Sequence, residues 1–181
     1  MCVTADRHIT NVTLIGFMGT GKSTVGRIVA EQLKFEFLDT DALIEERSGR
    51  KITEIFARNG EPAFRELEAQ LVEELRSRSR TVISTGGGLP TNPANLASLK
   101  KHSLVLCLWL SPEKIFERVR EQSHRPILHG PDPLGKIRTL LAARDPFYKQ
   151  ADVLINSDLR SAREVAMQVI NQFRLATDAR K

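Results

Sequence analysis

Residues 16–23 of this chain read GFMGTGKS, and they constrain its fold more than any other stretch. They fit G-x-x-x-x-G-K-[ST], the pattern of a polyphosphate-binding loop called the P-loop. Its glycines let several backbone N–H groups point at the phosphates, because no Cβ blocks the left-handed conformations that the loop needs. Lys22 can bring its charge to the β- and γ-phosphates, and the Ser23 hydroxyl can bind Mg²⁺.

The flanking residues supply the structural context that this pattern requires. Residues 11–15 (NVTLI) predict a buried strand, and residues 23–33 are mostly good helix formers whose helix adds its positive dipole end. A strand, a P-loop and a helix in this order predict a nucleoside triphosphate site rather than a glycine turn that binds nothing. The loop residues expected to contact the nucleotide are Gly19, Thr20, Gly21, Lys22, Ser23 and Thr24.

Length and charge narrow the classes of function. With 181 residues, the chain suits one domain, residues 1–181, with a sizeable core. Its net charge of +5, with both signs mixed along the chain, suits an anionic ligand. No basic tract is present, so nucleic acid is not the expected partner.

Other sequence signals indicate a cytoplasmic protein that does not contact a membrane. No apolar run approaches transmembrane length, and the first residues do not resemble a signal peptide. Cys2 and Cys107 provide no disulfide framework, and the four histidines lack the spacing of metal ligands.

Two carboxylates follow the second predicted strand. Residues 35–38 read as a short strand that ends at Asp39-Thr40-Asp41. Open α/β sheets bind ligands at the carboxyl ends of their strands, so at least one of these carboxylates is expected to be functional. Asp41 is also expected to cap the next helix, residues 42–48.

Three consecutive glycines follow the third predicted strand. Residues 81–84 run directly into Thr85 and then Gly86, Gly87 and Gly88. A run of this kind predicts close approach of the backbone to a ligand, although a sharp turn alone is the alternative.

The rest of the chain alternates between helical and strand patterns. Residues 121–133 are polar and rich in Pro and Gly, as expected of a mobile lid, and Pro146 predicts a kink or a new turn. The other predicted helices cover residues 52–58, 61–76, 134–150 and 161–176. Residues 95–100 are expected to end another helix, and one more helix starts with Ser111 as its N-cap. The other predicted strands cover residues 103–109 and 152–156. The alternation predicts a mainly parallel five-stranded sheet with helices on both sides.

With these residues in view, the chain resembles the shikimate kinases along almost its whole length. The resemblance rests on six motifs in the order and approximate spacing of that family. They are residues 16–27 (GFMGTGKSTVGR), 39–41 (DTD), 61–65 (EPAFR), 84–88 (STGGG), 125–128 (RPIL) and 144–148 (RDPFY). Departures are mild: Thr40 is often Ser in the family, Ile127 is often Leu, and Phe147 replaces a frequent Leu.

The resemblance implies a fold and a reaction. The fold is a three-layer α/β domain whose five-stranded parallel sheet, in the order 2-3-1-4-5, is flanked by helices. Besides the P-loop it has an acceptor-binding segment, about residues 41–78, and a lid, about residues 121–133. The reaction transfers the γ-phosphoryl group of ATP to the 3-hydroxyl of shikimate, with Mg²⁺, on the route to chorismate and the aromatic amino acids. Family members are commonly monomers.

The resemblance also implies roles for individual residues. Lys22, Asp41 and Arg125 would be catalytic, and Arg118 and Arg125 would contact ATP. Ser23 and Asp39 would hold Mg²⁺. The residues that would bind shikimate are Asp41, Phe64, Arg65, Gly86, Gly87, Gly88 and Arg144.

Two other functions fit part of this pattern. A related kinase could act on gluconate or a nucleoside monophosphate, since both acceptors are anionic and arginines alone do not separate them. The glycine run and the contexts of Arg65 and Arg144 favour shikimate. A catalytically idle nucleotide-binding regulator would be expected to lack Lys22, Asp41 or Arg125, and all three are present.

Overall fold

A sheet of five parallel strands organises the molecule. The structure, a computed structural model, describes residues 7–120 and 131–178. The strands are β1 (Asn11–Ile15), β2 (Glu36–Asp39), β3 (Thr81–Ser84), β4 (Ser103–Trp109) and β5 (Val153–Asn156). They lie in the order β2-β3-β1-β4-β5, and each neighbouring pair is parallel. The predicted number, direction and order of the strands are confirmed.

Helices connect the strands and cover both faces of the sheet. In the described part of the chain they are α1 (Lys22–Leu33), α2 (Thr40–Ser48), α3 (Ile52–Leu75), α4 (Pro93–His102), α5 (Pro112–Val119), α6 (Pro133–Tyr148) and α7 (Ala162–Asp178). A 3₁₀ turn, Leu89–Thr91, precedes α4. None of the helices within these ranges is both long enough and apolar enough to cross a lipid bilayer.

Alternate residues of β4 enter two separate apolar cores. Leu104, Leu106 and Leu108 pack with α1 and α7 on one face. Val105 and Cys107 pack on the other face with residues of α2 to α6. Successive side chains of a strand point to opposite faces, so an unbroken apolar strand requires helices on both sides. This arrangement produces the predicted three layers.

Two predicted interruptions have different outcomes. Gly60 breaks α3 where the sequence predicts two helices, because its φ of 78° and ψ of 170° are not helical. Pro62 follows at the start of the second half, a position that suits proline. In α6, by contrast, the helix includes Pro146 and continues to Tyr148.

Candidate active site

The carboxyl ends of β1, β2 and β3 meet at a cavity of about 390 Å³. Open α/β sheets bind ligands at this edge. The P-loop follows β1, Asp39 ends β2, and the glycine run (Gly86–Gly88) follows β3. The cavity is lined by nine of the predicted site residues, Gly19, Gly21, Lys22, Ser23, Thr24, Asp39, Asp41, Gly87 and Arg118.

The P-loop backbone has the conformation that an anion cradle needs. Gly19 and Gly21 have φ angles of 77° and 91°, a region that side chains disfavour. Gly21 is the N-cap of α1 and no side chain caps this helix, so its first N–H groups lie beside the cavity. The Lys22 ammonium donates to the carbonyls of Gly16 and Phe17, both at 2.9 Å. The buried Thr20 hydroxyl donates to the Phe17 carbonyl at 2.8 Å, so it braces the loop.

Ser23 and Asp39, predicted to hold a metal ion, lie next to each other. The Ser23 hydroxyl donates to Asp39 Oδ2 at 2.7 Å. Asp39 Oδ1 accepts from the N–H groups of Asp41 and Ala42, at 3.1 and 3.4 Å. A hydroxyl and a carboxylate at the mouth of a phosphate cradle are the hard oxygen ligands that Mg²⁺ takes, so this pair fits that ion.

The cap of α2 corrects one prediction. Asp39, not Asp41, is its N-cap residue. Residue 39 ends β2 and α2 begins at Thr40 without a linker, so the capping position falls two residues earlier than expected. The side chain of Asp41 therefore has no part in the cap and is available to the cavity.

Asp41 lies against Gly86. A Cβ at Gly86 would be 2.3 Å from Asp41 Oδ1, so only glycine leaves room for this carboxylate. Asp41 Oδ1 is buried and has no hydrogen-bond partner among the described residues. Burial and, next, the charge of Asp39 raise the pKa of Asp41 to about 6, although Lys22 opposes the shift.

Arg65 lies at the other end of the glycine run. A Cβ at Gly88 would be 2.5 Å from Arg65 Nη1. Nη1 donates to Glu68 Oε2 at 2.7 Å, while Nε and Nη2 donate to Glu61 Oε1 at 3.1 and 2.6 Å. Neither glutamate was predicted as a site residue, although their spacing from Arg65, i−4 and i+3, predicts contact on a helix.

Arg144 completes the group from α6. A Cβ at Gly87 would be 3.5 Å from its Nη1 atom, and its guanidinium carbon is 5.7 Å from the centre of the Phe17 ring. One turn later, the hydroxyl of the buried Tyr148 donates to the Gly87 carbonyl at 2.6 Å. Burial raises the pKa of Tyr148 to about 12, so this hydroxyl stays a donor at neutral pH. Tyr148 was also missed as a site residue.

The remaining predicted residues have separate positions. Arg118, on α5, donates to the carbonyl of Gly19 at 3.4 Å, so it lies beside the P-loop. Phe64 is buried, and the centre of its ring lies 5.6 Å from the guanidinium carbon of Arg65. Arg125 falls outside the residues that the structure describes.

The glycine run thus brings together three predicted residues from three helices. Gly86, Gly87 and Gly88 approach Asp41, Arg144 and Arg65 respectively. One carboxylate and two guanidinium groups therefore surround a backbone without side chains, next to the P-loop cavity. Such a set can bind a planar anion and can accept a proton from a hydroxyl.

Comparisons with known proteins identify the family of this chain. A family model described as shikimate kinase matches residues 18–174. The shikimate kinase of Thermodesulfovibrio yellowstonii is 40% identical over 163 residues, covering 90% of this chain and 94% of that relative. A shikimate kinase of Thermus thermophilus is 42% identical over 175 residues, covering 96% and 95%. A solved structure of shikimate kinase from Acinetobacter baumannii in complex with shikimate has a TM-score of 0.86 and 38% identity, covering 97% of this chain and 98% of that one. This chain belongs to the shikimate kinase family.

Proposed function

We propose that this protein transfers the γ-phosphoryl group of ATP to the 3-hydroxyl of shikimate, giving shikimate 3-phosphate and ADP. The observation that carries the proposal is the meeting of Asp41, Arg65 and Arg144 at the glycine run, beside the P-loop cavity. The family's name and the shikimate-bound relative support the choice of acceptor.

The two arginines suit the acceptor's carboxylate. A guanidinium bonds a planar carboxylate through two N–H groups, which an ammonium does not match. Arg65 and Arg144 come from α3 and α6, so the carboxylate would join two elements that approach the glycine run separately. The ring of Phe64 would support the Arg65 guanidinium through a cation–π contact.

Asp41 suits the hydroxyl that receives the phosphoryl group. Its buried, unpartnered Oδ1 would accept a hydrogen bond from the hydroxyl and orient it towards the γ-phosphate. With a pKa of about 6, the group is mostly ionised at pH 7 and can take the proton as transfer proceeds.

The P-loop would hold the donor. Phosphoryl transfer has a loose, highly charged transition state, so positioning and charge stabilisation supply most of the catalysis. The loop N–H groups and Lys22 would bind the β- and γ-phosphates, and Arg118 would lie against the adenine. Ser23 and Asp39 would hold Mg²⁺, which neutralises phosphate charge when it is bound with the nucleotide.

Other expectations remain predictions. They are the acceptor-binding segment at about residues 41–78, the lid at about residues 121–133, the role of Arg125, a monomeric state and a cytoplasmic location. Most of the predicted lid lies outside the described residues.

An acceptor panel tests the proposal. Purified protein, ATP and Mg²⁺ are mixed with shikimate, gluconate or a nucleoside monophosphate, and ADP release is followed by a coupled assay. Of the three acceptors, we expect only shikimate to cause rapid ADP release. Release with a different acceptor would refute the acceptor assignment, and ATP binding without release for any acceptor would favour the idle regulator.

A further inference from the structure

Glu61 holds Arg65 by the edge that a carboxylate ligand would use. Arg65 Nε and Nη2 both donate to Glu61 Oε1, at 3.1 and 2.6 Å. This side of a guanidinium presents two nearly parallel N–H groups, which match the two oxygens of a carboxylate. A carboxylate of the chain itself therefore occupies this edge.

The other sides of the same guanidinium are taken as well. Arg65 Nη1 donates to Glu68 Oε2 at 2.7 Å. A Cβ at Gly88 would lie 2.5 Å from Nη1, 2.7 Å from Nη2 and 2.9 Å from Cζ, so the Gly88 backbone abuts the Nη1–Nη2 end. An incoming carboxylate therefore displaces a neighbour of Arg65 when it binds through two N–H groups.

The solvent exposure of the two glutamates indicates which of them an incoming carboxylate would displace from Arg65. The side chain of Glu68 is 1% exposed, whereas that of Glu61 is 63% exposed. Separating Arg65 from Glu68 would leave a buried carboxylate without its partner, which is strongly unfavourable. Separating Arg65 from Glu61 returns an exposed carboxylate to water, and such pairs contribute little to stability.

We propose that Glu61 is a placeholder for the acceptor's carboxylate: it occupies Arg65 in the free protein and leaves when the acceptor binds. The inference rests on the proposed function, which supplies a carboxylate-bearing acceptor. Glu61 is then a positioning residue that competes with the acceptor, whereas Glu68 keeps Arg65 in place in both states. Removing the competitor should strengthen acceptor binding and leave the transfer step unchanged.

Glu61→Gln tests the proposal in the full-length protein. We expect the shikimate KM to fall about two- to fivefold, the range that corresponds to an exposed ion pair. The ATP KM and kcat should not change, because Glu61 touches neither the P-loop nor Asp41 in the described contacts. An unchanged or raised shikimate KM would overturn the proposal.

Glu74→Gln is the matched control. Glu74 lies on the same helix, is 55% exposed and pairs with Arg47 at 2.7 Å, away from the glycine run. Its removal changes the net charge equally and should leave the shikimate KM unchanged. A fall equal to that of Glu61→Gln would assign the effect to net charge and reject the placeholder.

Two further variants separate this contact from folding effects. Glu61→Asp keeps the negative charge near the start of the second half of α3, but it is one methylene too short for the same contact, so the shikimate KM should again fall. In an Arg65→Ala background, removing Glu61 should no longer change the shikimate KM, and a persistent effect would contradict the proposal.

If the parent protein does not phosphorylate shikimate, the proposed function fails. If it does and Glu61→Gln has no effect, only the placeholder fails.

Discussion

Asp41 is a carboxylate that the fold makes costly to ionise. It is buried, it lies near the charge of Asp39, and its Oδ1 atom has no hydrogen-bond partner in the described structure. An unpaired buried oxygen destabilises a fold, so its retention requires an explanation. The proposed bond from a substrate hydroxyl to Oδ1 would provide one.

Replacing Asp41 by asparagine is the first test at this scale. We expect Asp41→Asn to lower kcat by about 10²–10⁴, the usual contribution of general acid–base catalysis. The nucleotide Kd should stay within a small factor, because asparagine keeps the size of this side chain and the loop N–H groups and Lys22 are unchanged. Steady-state kinetics and direct nucleotide binding measure the two effects. Near-normal turnover would remove Asp41 from the reaction.

The same variant has a second readout in its stability. The pKa of Asp41 rises from 3.8 to about 6 on folding. The protonated carboxyl therefore favours the folded state, fully below pH 3.8, and this stabilisation is lost as the pH rises through 6. Above pH 6 the ionised group destabilises the fold by up to about 3 kcal/mol. Asp41→Asn should therefore raise the free energy of unfolding at pH 8 but not at pH 4. In the parent protein, kcat/KM should decrease as the pH is lowered below about 6. Denaturant unfolding at both pH values and a pH–rate profile measure these effects.

Arg65 should act on binding rather than on transfer. Arg65→Ala is expected to raise the shikimate KM by an amount equivalent to about 2–4 kcal/mol, the usual loss for a charged contact. Arg47→Ala is the control, because Arg47 also pairs with a glutamate of α3 but lies away from the cavity. Steady-state kinetics with shikimate as the varied substrate measure both. An unchanged shikimate KM in Arg65→Ala would mean that the carboxylate site is elsewhere.

Among the elements, the glycine run after β3 determines how closely Asp41 and Arg65 approach the backbone. A Cβ at Gly86 or Gly88 would lie within 2.5 Å of Asp41 or Arg65, whereas a Cβ at Gly87 would meet nothing closer than 3.4 Å. The three glycines are therefore not equivalent, because two of them make room for the side chains of Asp41 and Arg65.

Alanine at each glycine should reveal this difference. Gly86→Ala is expected to lower kcat because it pushes Asp41 aside, and Gly88→Ala to raise the shikimate KM because it pushes Arg65 aside. Gly87→Ala, whose Cβ would make only ordinary contacts, should have the smallest effect. Steady-state kinetics of the three variants provide the measurement. Equal losses in all three would contradict the assignment.

The sequence predicted the elements better than it predicted contacts within the site. Apolar runs and periodicity identified each strand, and the two helices predicted over residues 52–58 and 61–76 agree with the helix break at Gly60. The cap of α2 was placed on Asp41 because the sequence does not reveal that β2 and α2 are joined without a linker. The roles of Glu61 and Glu68 depend on which face of α3 meets the glycine run, and helical spacing alone does not determine that face.

At the scale of the whole molecule, the two ends of the sheet have different tasks. The carboxyl ends of the strands hold the candidate site, whereas Arg7 links residues at the opposite end. Arg7 donates to both oxygens of Asp152, each at 2.8 Å, and to the carbonyl of Ser103. Asp152 also accepts from the N–H of Val105, so the two residues join the starts of β4 and β5.

Arg7→Ala should therefore separate stability from activity. Both side chains are largely buried, and a lost partner leaves Asp152 partly unpaired, so we expect a loss of about 2–4 kcal/mol in the free energy of unfolding. The KM values for ATP and shikimate should not change at a temperature where the variant is folded. Arg78→Ala, which removes an exposed pair with Glu36, is the control and should cost less than about 1 kcal/mol. Equal losses in the two variants would mean that the Arg7–Asp152 pair contributes no more to stability than an exposed ion pair.

We propose that a two-arginine carboxylate site and a phosphate cradle face each other in this molecule, with Asp41 between them. A crystal structure of the protein with ADP, Mg²⁺ and shikimate tests it most directly. We expect the shikimate carboxylate to bond Arg65 and Arg144, its 3-hydroxyl to lie within hydrogen-bond distance of Asp41, and the β-phosphate to lie on the loop at Gly19–Ser23. Shikimate bound elsewhere, or bound here with its carboxylate turned away from both arginines, would contradict the account.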